Sequence, residues 1–173
     1  DGDGWRLGAM TLLSDIEKFA PFDTGAYRTL GEATRSSGGR QIRNMGTIGG
    51  NICHASPGAD LVPPLLCLDA RLRIAGPAGE RETPLDGFLR GPGQTGLAPA
   101  EIVTEILLPV APGRSGSAFH KVMRRKAMDC SIVAVAARVS LAPSGDRIAA
   151  ARVAVGAAAP VPFLVPGVDD LLR

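Results

Sequence analysis

The chain has 173 residues, enough for one ordinary domain or two small ones. Its 45% hydrophobic and 21% charged residues exclude a chain that is disordered by composition, and its net charge of +2 argues against a dedicated nucleic-acid-binding protein. No apolar run approaches the roughly 18 residues of a membrane-spanning helix. Three widely spaced cysteines without a Cys-x-x-Cys pair favour a reducing, cytoplasmic location over a disulfide framework or a structural metal site.

The first third of the chain predicts helices. Apolar residues at helical spacing predict a first helix that ends at Pro21, and a second is expected over Tyr27–Arg35. Ser14 and Glu17 have the spacing of an N-terminal capping box. The following stretch, Arg40–Asp60, contains four glycines and little periodicity, and is therefore predicted to be a loop rich in backbone donors.

The rest of the chain predicts mainly strands. A short helix should follow Asp60, which could cap it, with two prolines in its first turn. A proline- and glycine-rich linker at 111–117 predicts a boundary between a domain over residues 1–110 and one over 118–173. Three strands are predicted before the linker: a hairpin of Arg71–Ile74 and Glu80–Leu85, followed by Glu101–Leu108. Beyond the linker, Ile132–Leu141 and Ile148–Val155 are predicted to form a second hairpin.

One segment carries residues suited to ligand chemistry. In Thr47-Ile48-Gly49-Gly50-Asn51 the paired glycines would let the backbone approach a ligand without obstruction. Successive free amides in such a turn form a concave anion site, which suits a pyrophosphate. The same glycines are equally compatible with a tight turn of no chemical role. Nine positions later, Asp60 could accept hydrogen bonds from ribose or ribityl hydroxyls, or serve only as a helix cap.

The order of these motifs resembles a known family. Gln41–Asn51 followed by Ala55-Ser-Pro-x-x-Asp60 is similar to the second FAD-binding loop of the flavoprotein component of molybdenum hydroxylases, the xanthine dehydrogenase and carbon monoxide dehydrogenase family. Leu7–Glu17, Leu85–Ile102 and Phe119–Asp129 continue the resemblance in the same order. It implies an α+β fold: the second subdomain of an FAD-binding domain of the PCMH/vanillyl-alcohol-oxidase-like type, followed by the start of a small antiparallel-sheet-plus-helix C-terminal domain.

The resemblance also implies roles for single residues. A group around the glycines would line the FAD diphosphate and ribityl chain, Asp60 would hold FAD hydroxyls, and others would lie near the isoalloxazine ring. The first group is Thr47, Ile48, Gly49, Gly50 and Asn51; the ring group is Cys53, Val103, Lys121 or His120 beside it, and the pair Arg124–Arg125.

The implied function is that of an FAD-binding electron-transfer subunit. It would pass electrons from iron–sulfur clusters on one partner subunit, in a complex with a molybdopterin-binding subunit, through FAD to an acceptor such as NAD. No acid–base catalytic residue is then needed, because the protein positions the ring. The family begins with a smaller subdomain that carries a first Gly-Gly loop, and no such loop precedes Trp5, so a fragment or a truncated chain is expected.

Several alternatives stay open. The chain could be an assembly remnant of the same family without tight FAD binding, or a small α+β ligand-binding module. His54, Ser56 and Asp60 crowd one loop without a nucleophile-elbow pattern, which disfavours a hydrolase triad. The basic run Arg124–Lys126 is either a solvated face or a site for an acidic dinucleotide such as NAD. Cys67 and Cys130 are predicted to be buried thiols.

Overall fold

The computed structural model describes residues 4–125 and 128–172. These residues form two four-stranded antiparallel sheets, a two-stranded hairpin, six short helices and two 3-10 turns. The strands are β1 (Trp5–Gly8), β2 (Arg71–Gly76), β3 (Gly79–Pro84), β4 (Leu89–Gly91), β5 (Gln94–Thr95), β6 (Ile102–Leu108), β7 (Ser115–Val122), β8 (Val133–Leu141), β9 (Ile148–Gly156) and β10 (Phe163–Leu164). The helices are α1 (Leu13–Lys18), α2 (Arg28–Ser36), α3 (Arg40–Arg43), α4 (Ile48–Cys53), α5 (Val62–Cys67) and α6 (Val168–Leu172).

The first sheet has the strand order β1-β6-β2-β3, and its two faces differ sharply. Leu72 and Ile106 lie opposite each other in the register of β2 and β6, and both are fully buried. One position further along, Arg73 pairs with Glu105 on the other face. Because side chains alternate along a strand, this pattern gives one apolar face for the core and one charged face. The predicted strands and hairpin in this region are confirmed.

The first two helices are confirmed, but the predicted capping box is wrong. Leu12 is the N-cap of α1, and its side chain caps nothing. Ser14 lies inside the helix and is buried, as are Leu13 and Ile16. The helix begins two residues earlier than the box requires because Leu13 N–H already donates to Gly46 O at 2.9 Å. Tertiary pairing with the chain before α4 thus decides where α1 starts.

The second sheet has the order β10-β9-β8-β7 and packs on α5 and α2. The residues of β8 and β9 that face α5 include Ala136 and Ala154, both fully buried, and their small side chains let the helix approach closely. A Cβ on Gly156 would lie only 2.8 Å from Pro63 Cγ. The two prolines predicted for the first turn of α5 are confirmed there. The apolar cores under both sheets are continuous.

The start of β7 overlaps the end of the predicted linker. Residues 115–117 belong to the strand, and Ser117 Oγ accepts the amide of Thr29 at 2.9 Å. Glu32 Oε2 accepts the Phe119 amide at 2.7 Å, and Thr29 Oγ1 donates to Ala118 O at 3.1 Å. Helix α2 therefore runs along the outer edge of β7 and occupies hydrogen-bonding groups that an edge strand would otherwise expose.

A second set of polar contacts holds the two sheets together at the far end of α5. Asp69 has a left-handed backbone (φ 56°), and its carboxylate accepts from Arg138 Nη2 at 2.7 Å and from Arg152 Nη2 at 2.9 Å. These arginines face each other across β8 and β9. The Arg138 side chain is 8% exposed, so Asp69 is the counter-ion that balances a buried positive charge.

Within the described ranges, none of the helices has the length and apolar character required to cross a lipid bilayer.

Candidate functional site

The prediction of a loop over Arg40–Asp60 is wrong in part, because this stretch contains helices α3 and α4, and α4 carries the paired glycines. Helix α4 begins after Thr47, whose Oγ1 accepts the Gly50 amide at 3.0 Å. Ile48 and Ile52, one turn apart, are both fully buried and hold the helix on the core. A Thr N-cap with an i, i+4 pair of isoleucines is the sequence signal that could have identified this helix.

The two glycines of α4 have different roles. A Cβ on Gly49 would lie 2.7 Å from both Cβ and O of Ala9, so this glycine permits close packing against the segment that follows β1. Gly50 is exposed, and a Cβ there would meet only Thr47 Oγ1, at 2.9 Å. Only the second glycine therefore leaves a free surface that a ligand could approach.

The backbone amides of this segment donate within the chain, so the structure does not show the free amides on which the expected anion site depends. The assignment of Thr47–Asn51 to the cofactor stays a prediction. The Ile48 amide donates to Thr11 O at 3.0 Å, and the Gly49 amide donates to Ala9 O at 2.9 Å. The Gly50 and Asn51 amides both donate to Thr47, to Oγ1 and to O. The four amides therefore stabilise α4 and its contact with the preceding strand, because the segment folds as a capped helix instead of an open turn.

Asn51 is the polar side chain of α4 that lacks a partner. Its Oδ1 is buried and accepts no hydrogen bond from any described residue. A buried amide oxygen without a donor costs free energy of about 1–3 kcal/mol, so such atoms usually mark a site that something else completes. The hydroxyl and N–H groups of a flavin dinucleotide are donors of the required kind, and in this respect the residues present fit the implied cofactor.

Two further predicted residues lie on or beside this helix. Cys53 is the last residue of α4 and is half-buried, and burial raises the pKa of its thiol. Val103 is a buried residue of β6, the strand that contacts α4. The structure thus brings Thr47–Cys53 and Val103 into one group.

Asp60 and Lys121 form a second group. Asp60 Oδ2 accepts from Lys121 Nζ at 2.7 Å, and Asp60 Oδ1 accepts from Ser131 Oγ at 2.7 Å. The side chains of Asp60 and Lys121 are 10% and 3% exposed. Leu61, and not Asp60, is the N-cap of α5, so the predicted capping role is wrong: the carboxylate turns toward the second sheet and its cation. Ser131 was missed because nothing in its local sequence indicates a partner 71 positions away.

The remaining predicted residues lie apart from these groups. His120 is exposed on the face of β7 opposite to Lys121, as strand alternation requires. Arg124 and Arg125 are exposed in the loop after β7, and Lys126 lies outside the described residues. Cys67 is buried as predicted, and burial raises its pKa to about 12.

The environments of Cys130 and of the candidate hydrolase residues bear on two predictions about reactive side chains. Cys130 is exposed, so the prediction of a buried thiol is wrong there; its amide donates to the Asp129 side chain within the loop before β8. Two of the three candidates for a hydrolase triad have other partners, since Ser56 Oγ accepts the Gly58 amide and Asp60 is held as above. The third, His54, is exposed at the end of α4.

The described residues form an α+β fold with a continuous apolar core under two antiparallel sheets, and comparisons with known proteins show the family. Residues 1–111 match the family model of the FAD binding domain in molybdopterin dehydrogenase, and residues 118–173 match that of the CO dehydrogenase flavoprotein C-terminal domain. The chain belongs to this family. The resemblance, the fold class and FAD as the cofactor of the family are thereby confirmed.

Individual relatives give the same result. The chain is 41% identical over 162 residues to the xanthine dehydrogenase FAD-binding subunit of Escherichia coli O157:H7, covering 91% of this chain and 53% of that protein. It is 34% identical over 160 residues to the carbon monoxide dehydrogenase medium chain of Hydrogenophaga pseudoflava, covering 92% and 54%. The reconstituted CO dehydrogenase from Oligotropha carboxidovorans matches with a TM-score of 0.90 at 27% identity, over 99% of this chain and 58% of that one. The chain spans about half the length of the curated relatives it matches.

Proposed function

We propose that the chain is the FAD-binding electron-transfer part of a molybdenum hydroxylase complex in the cytoplasm. It would receive electrons from an iron–sulfur subunit, associate with a molybdopterin-binding subunit, and deliver electrons through FAD to an acceptor such as NAD. The observation that carries the proposal is the family match over residues 1–111, with the second match following it in chain order. We further propose residues 1–110 and 118–173 as its two domains.

FAD would supply the redox chemistry, and this chain would bind and orient it. Within the α4 group, the exposed surface of Gly50 gives room for close approach, and the buried Asn51 Oδ1 provides an acceptor. Ile48 and Gly49 would act indirectly, because the Ile48 side chain is buried in the core and Gly49 packs closely against Ala9. Thr47 would act as the cap that fixes the helix start.

Other residues would bind the cofactor through side chains or shape. Asp60 would accept hydroxyl donors from FAD, with Lys121 beside it as its counter-ion. Cys53 and Val103 would supply apolar contacts to the ring. His120 would act only from the far face of β7, which makes Lys121 the stronger of the two basic candidates.

Asn51→Leu tests the site because it should weaken FAD binding without lowering the stability of the flavin-free chain. Removing a buried acceptor that has no partner should leave the stability of the flavin-free chain unchanged or raise it by about 1 kcal/mol. The same change should raise the Kd for FAD at least tenfold, because the acceptor for the ligand is gone. Fluorescence titration with FAD and thermal unfolding without FAD measure the two effects. Unchanged FAD affinity in this variant would contradict the site.

A pair of glycine variants provides the steric control. Gly50→Val places a branched side chain on the proposed ligand surface and should abolish FAD binding. Gly116→Val makes the same change on an exposed strand with open space around the new Cβ, and should bind FAD like the unaltered chain. If the unaltered chain binds no FAD, the alternative of an assembly remnant is supported instead; the four occupied amides at 48–51 are the observation that favours it.

A further inference from the structure

The Asp60 carboxylate is held by Lys121 of the second sheet and by Ser131 in the segment that leads into that sheet. Lys121 lies near the end of β7, and Ser131 lies just before β8. Each donates to a different carboxylate oxygen, at 2.7 Å in both cases. The segment that carries Ser131 is itself fixed, because the neighbouring Ile132 amide donates to Val122 O at 2.9 Å.

Two donors on two oxygens fix the orientation of this side chain. An aspartate has only two side-chain torsions, and a donor at each oxygen determines both of them. An ionised carboxylate has about four acceptor positions, so roughly two remain after Lys121 and Ser131 have been accommodated. Because the two donors fix the orientation of the carboxylate, they also fix the directions of its remaining acceptor positions. Hydroxyl groups of a ribityl or ribose chain are suitable partners for them.

The two donors differ in what else they do. Lys121 Nζ also donates to Ser36 O at the end of α2, at 3.3 Å, and its side chain is nearly fully buried. It therefore balances charge and joins three elements, and its removal would disturb the fold. Ser131 is a neutral donor, and it makes a single hydrogen bond to the Asp60 carboxylate. Its contribution is orientation, with little charge or packing attached.

We propose that Ser131 is a positioning residue that orients the Asp60 carboxylate toward the hydroxyl groups of FAD. The inference rests on the proposed function, since it assumes that Asp60 binds the cofactor. It assigns the second sheet a direct part in the cofactor site: a side chain more than 70 positions from Asp60 along the chain sets the acceptor geometry.

The test compares Ser131→Ala with an alanine variant of Ser140, a serine of strand β8, which begins just after Ser131. Ser140 is buried near the opposite end of β8, and its hydroxyl lies 2.8 Å from Ser115 Oγ. Both alanine variants of the full chain should lower the unfolding temperature without FAD by similar small amounts. Only Ser131→Ala should raise the Kd for FAD, by about tenfold, which is the lower end for a hydrogen bond to a charged group. Ser131→Thr retains the hydroxyl and should restore the affinity to within threefold.

The outcomes separate this inference from the proposed function. The inference is overturned if Ser131→Ala binds FAD within twofold of the unaltered chain, or if Ser140→Ala weakens FAD binding as much as Ser131→Ala does. Asp60→Asn is measured in parallel. If Asp60→Asn weakens binding and Ser131→Ala does not, only the role of Ser131 fails. If Asp60→Asn binds FAD like the unaltered chain, the assignment of Asp60 under the proposed function fails with it.

Discussion

Asp69→Asn tests how firmly the second sheet is held to α5. Asparagine tolerates the left-handed backbone at this position, so the substitution removes charge without adding backbone strain. Breaking a fully buried ion pair costs about 3–5 kcal/mol, because it leaves an uncompensated charge. Here Arg138 is 8% exposed but Asp69 is 37% exposed, and asparagine can still accept one hydrogen bond. We therefore expect a loss of about 2 kcal/mol in the free energy of unfolding.

Thermal unfolding measures this loss. For a chain of this size, each kcal/mol lowers Tm by about 2–4 °C, so Asp69→Asn should lower Tm by about 4–8 °C. Arg152→Met is the control: Arg152 is 39% exposed, and its pair with Asp69 should contribute less than about 1 kcal/mol. Adding Arg138→Met to Asp69→Asn should recover stability, since the unpaired charge is then gone. A Tm change below 1 °C for Asp69→Asn, or further destabilisation in the double variant, would refute this reasoning.

Three further predictions concern acid stability, thiol reactivity and packing. Arg81 lowers the pKa of Glu101 from 4.5 to about 2, so this pair stabilises the fold above pH 4.5 and its contribution is lost as the pH falls toward 2. In acid titrations followed by circular dichroism, Arg81→Met should therefore make the stability less dependent on pH across that window. A thiol reagent at pH 8 should label exposed Cys130 in the native chain and buried Cys67 only after unfolding, as peptide mass mapping would show. Gly156→Val should destabilise by about 1–3 kcal/mol in urea unfolding, through overlap with the first turn of α5.

Each of these predictions has a result that would contradict it. An Arg81→Met chain that still loses stability as steeply as the unaltered chain between pH 4.5 and 2 would show that other carboxyls dominate. Labelling of Cys67 under native conditions would mean that α5 opens readily from the second sheet. For the packing prediction, Gly116→Val is the control on an open strand surface, and an equal loss of stability in both variants would remove the contact with α5 as the cause.

The sequence predicted those elements whose stability comes from local pattern. Alternation in β2 and β6 appears in the residues themselves, and the structure confirms both strands. Helix α5 was identified by its prolines and leucines, which suit a first turn and a buried face. In these segments the local preference and the tertiary environment agree, and inspection of one segment at a time is sufficient.

Where the sequence prediction failed, a distant part of the chain determined the local conformation. Helix α4 has two adjacent glycines in its first turns, which disfavour a helix when considered alone. It forms because Thr47 caps it and because Gly49 lets Ala9 approach within van der Waals contact. The absence of a side chain suggested a flexible phosphate-binding turn. In the structure it permits close packing at Gly49 and leaves a free surface only at Gly50.

The two aspartates on either side of α5 are also held by distant parts of the chain, which the local sequence does not reveal. Asp60 precedes the helix and Asp69 follows it, positions where an aspartate is usually explained by local capping or turn geometry. In the structure each carboxylate pairs with a cation from the second sheet, 61 positions away for Lys121 and 69 for Arg138. Both ends of one buried helix are thereby tied to the other sheet. If Asp60 binds FAD as we propose, a change that loosens this sheet should therefore also weaken the binding of FAD.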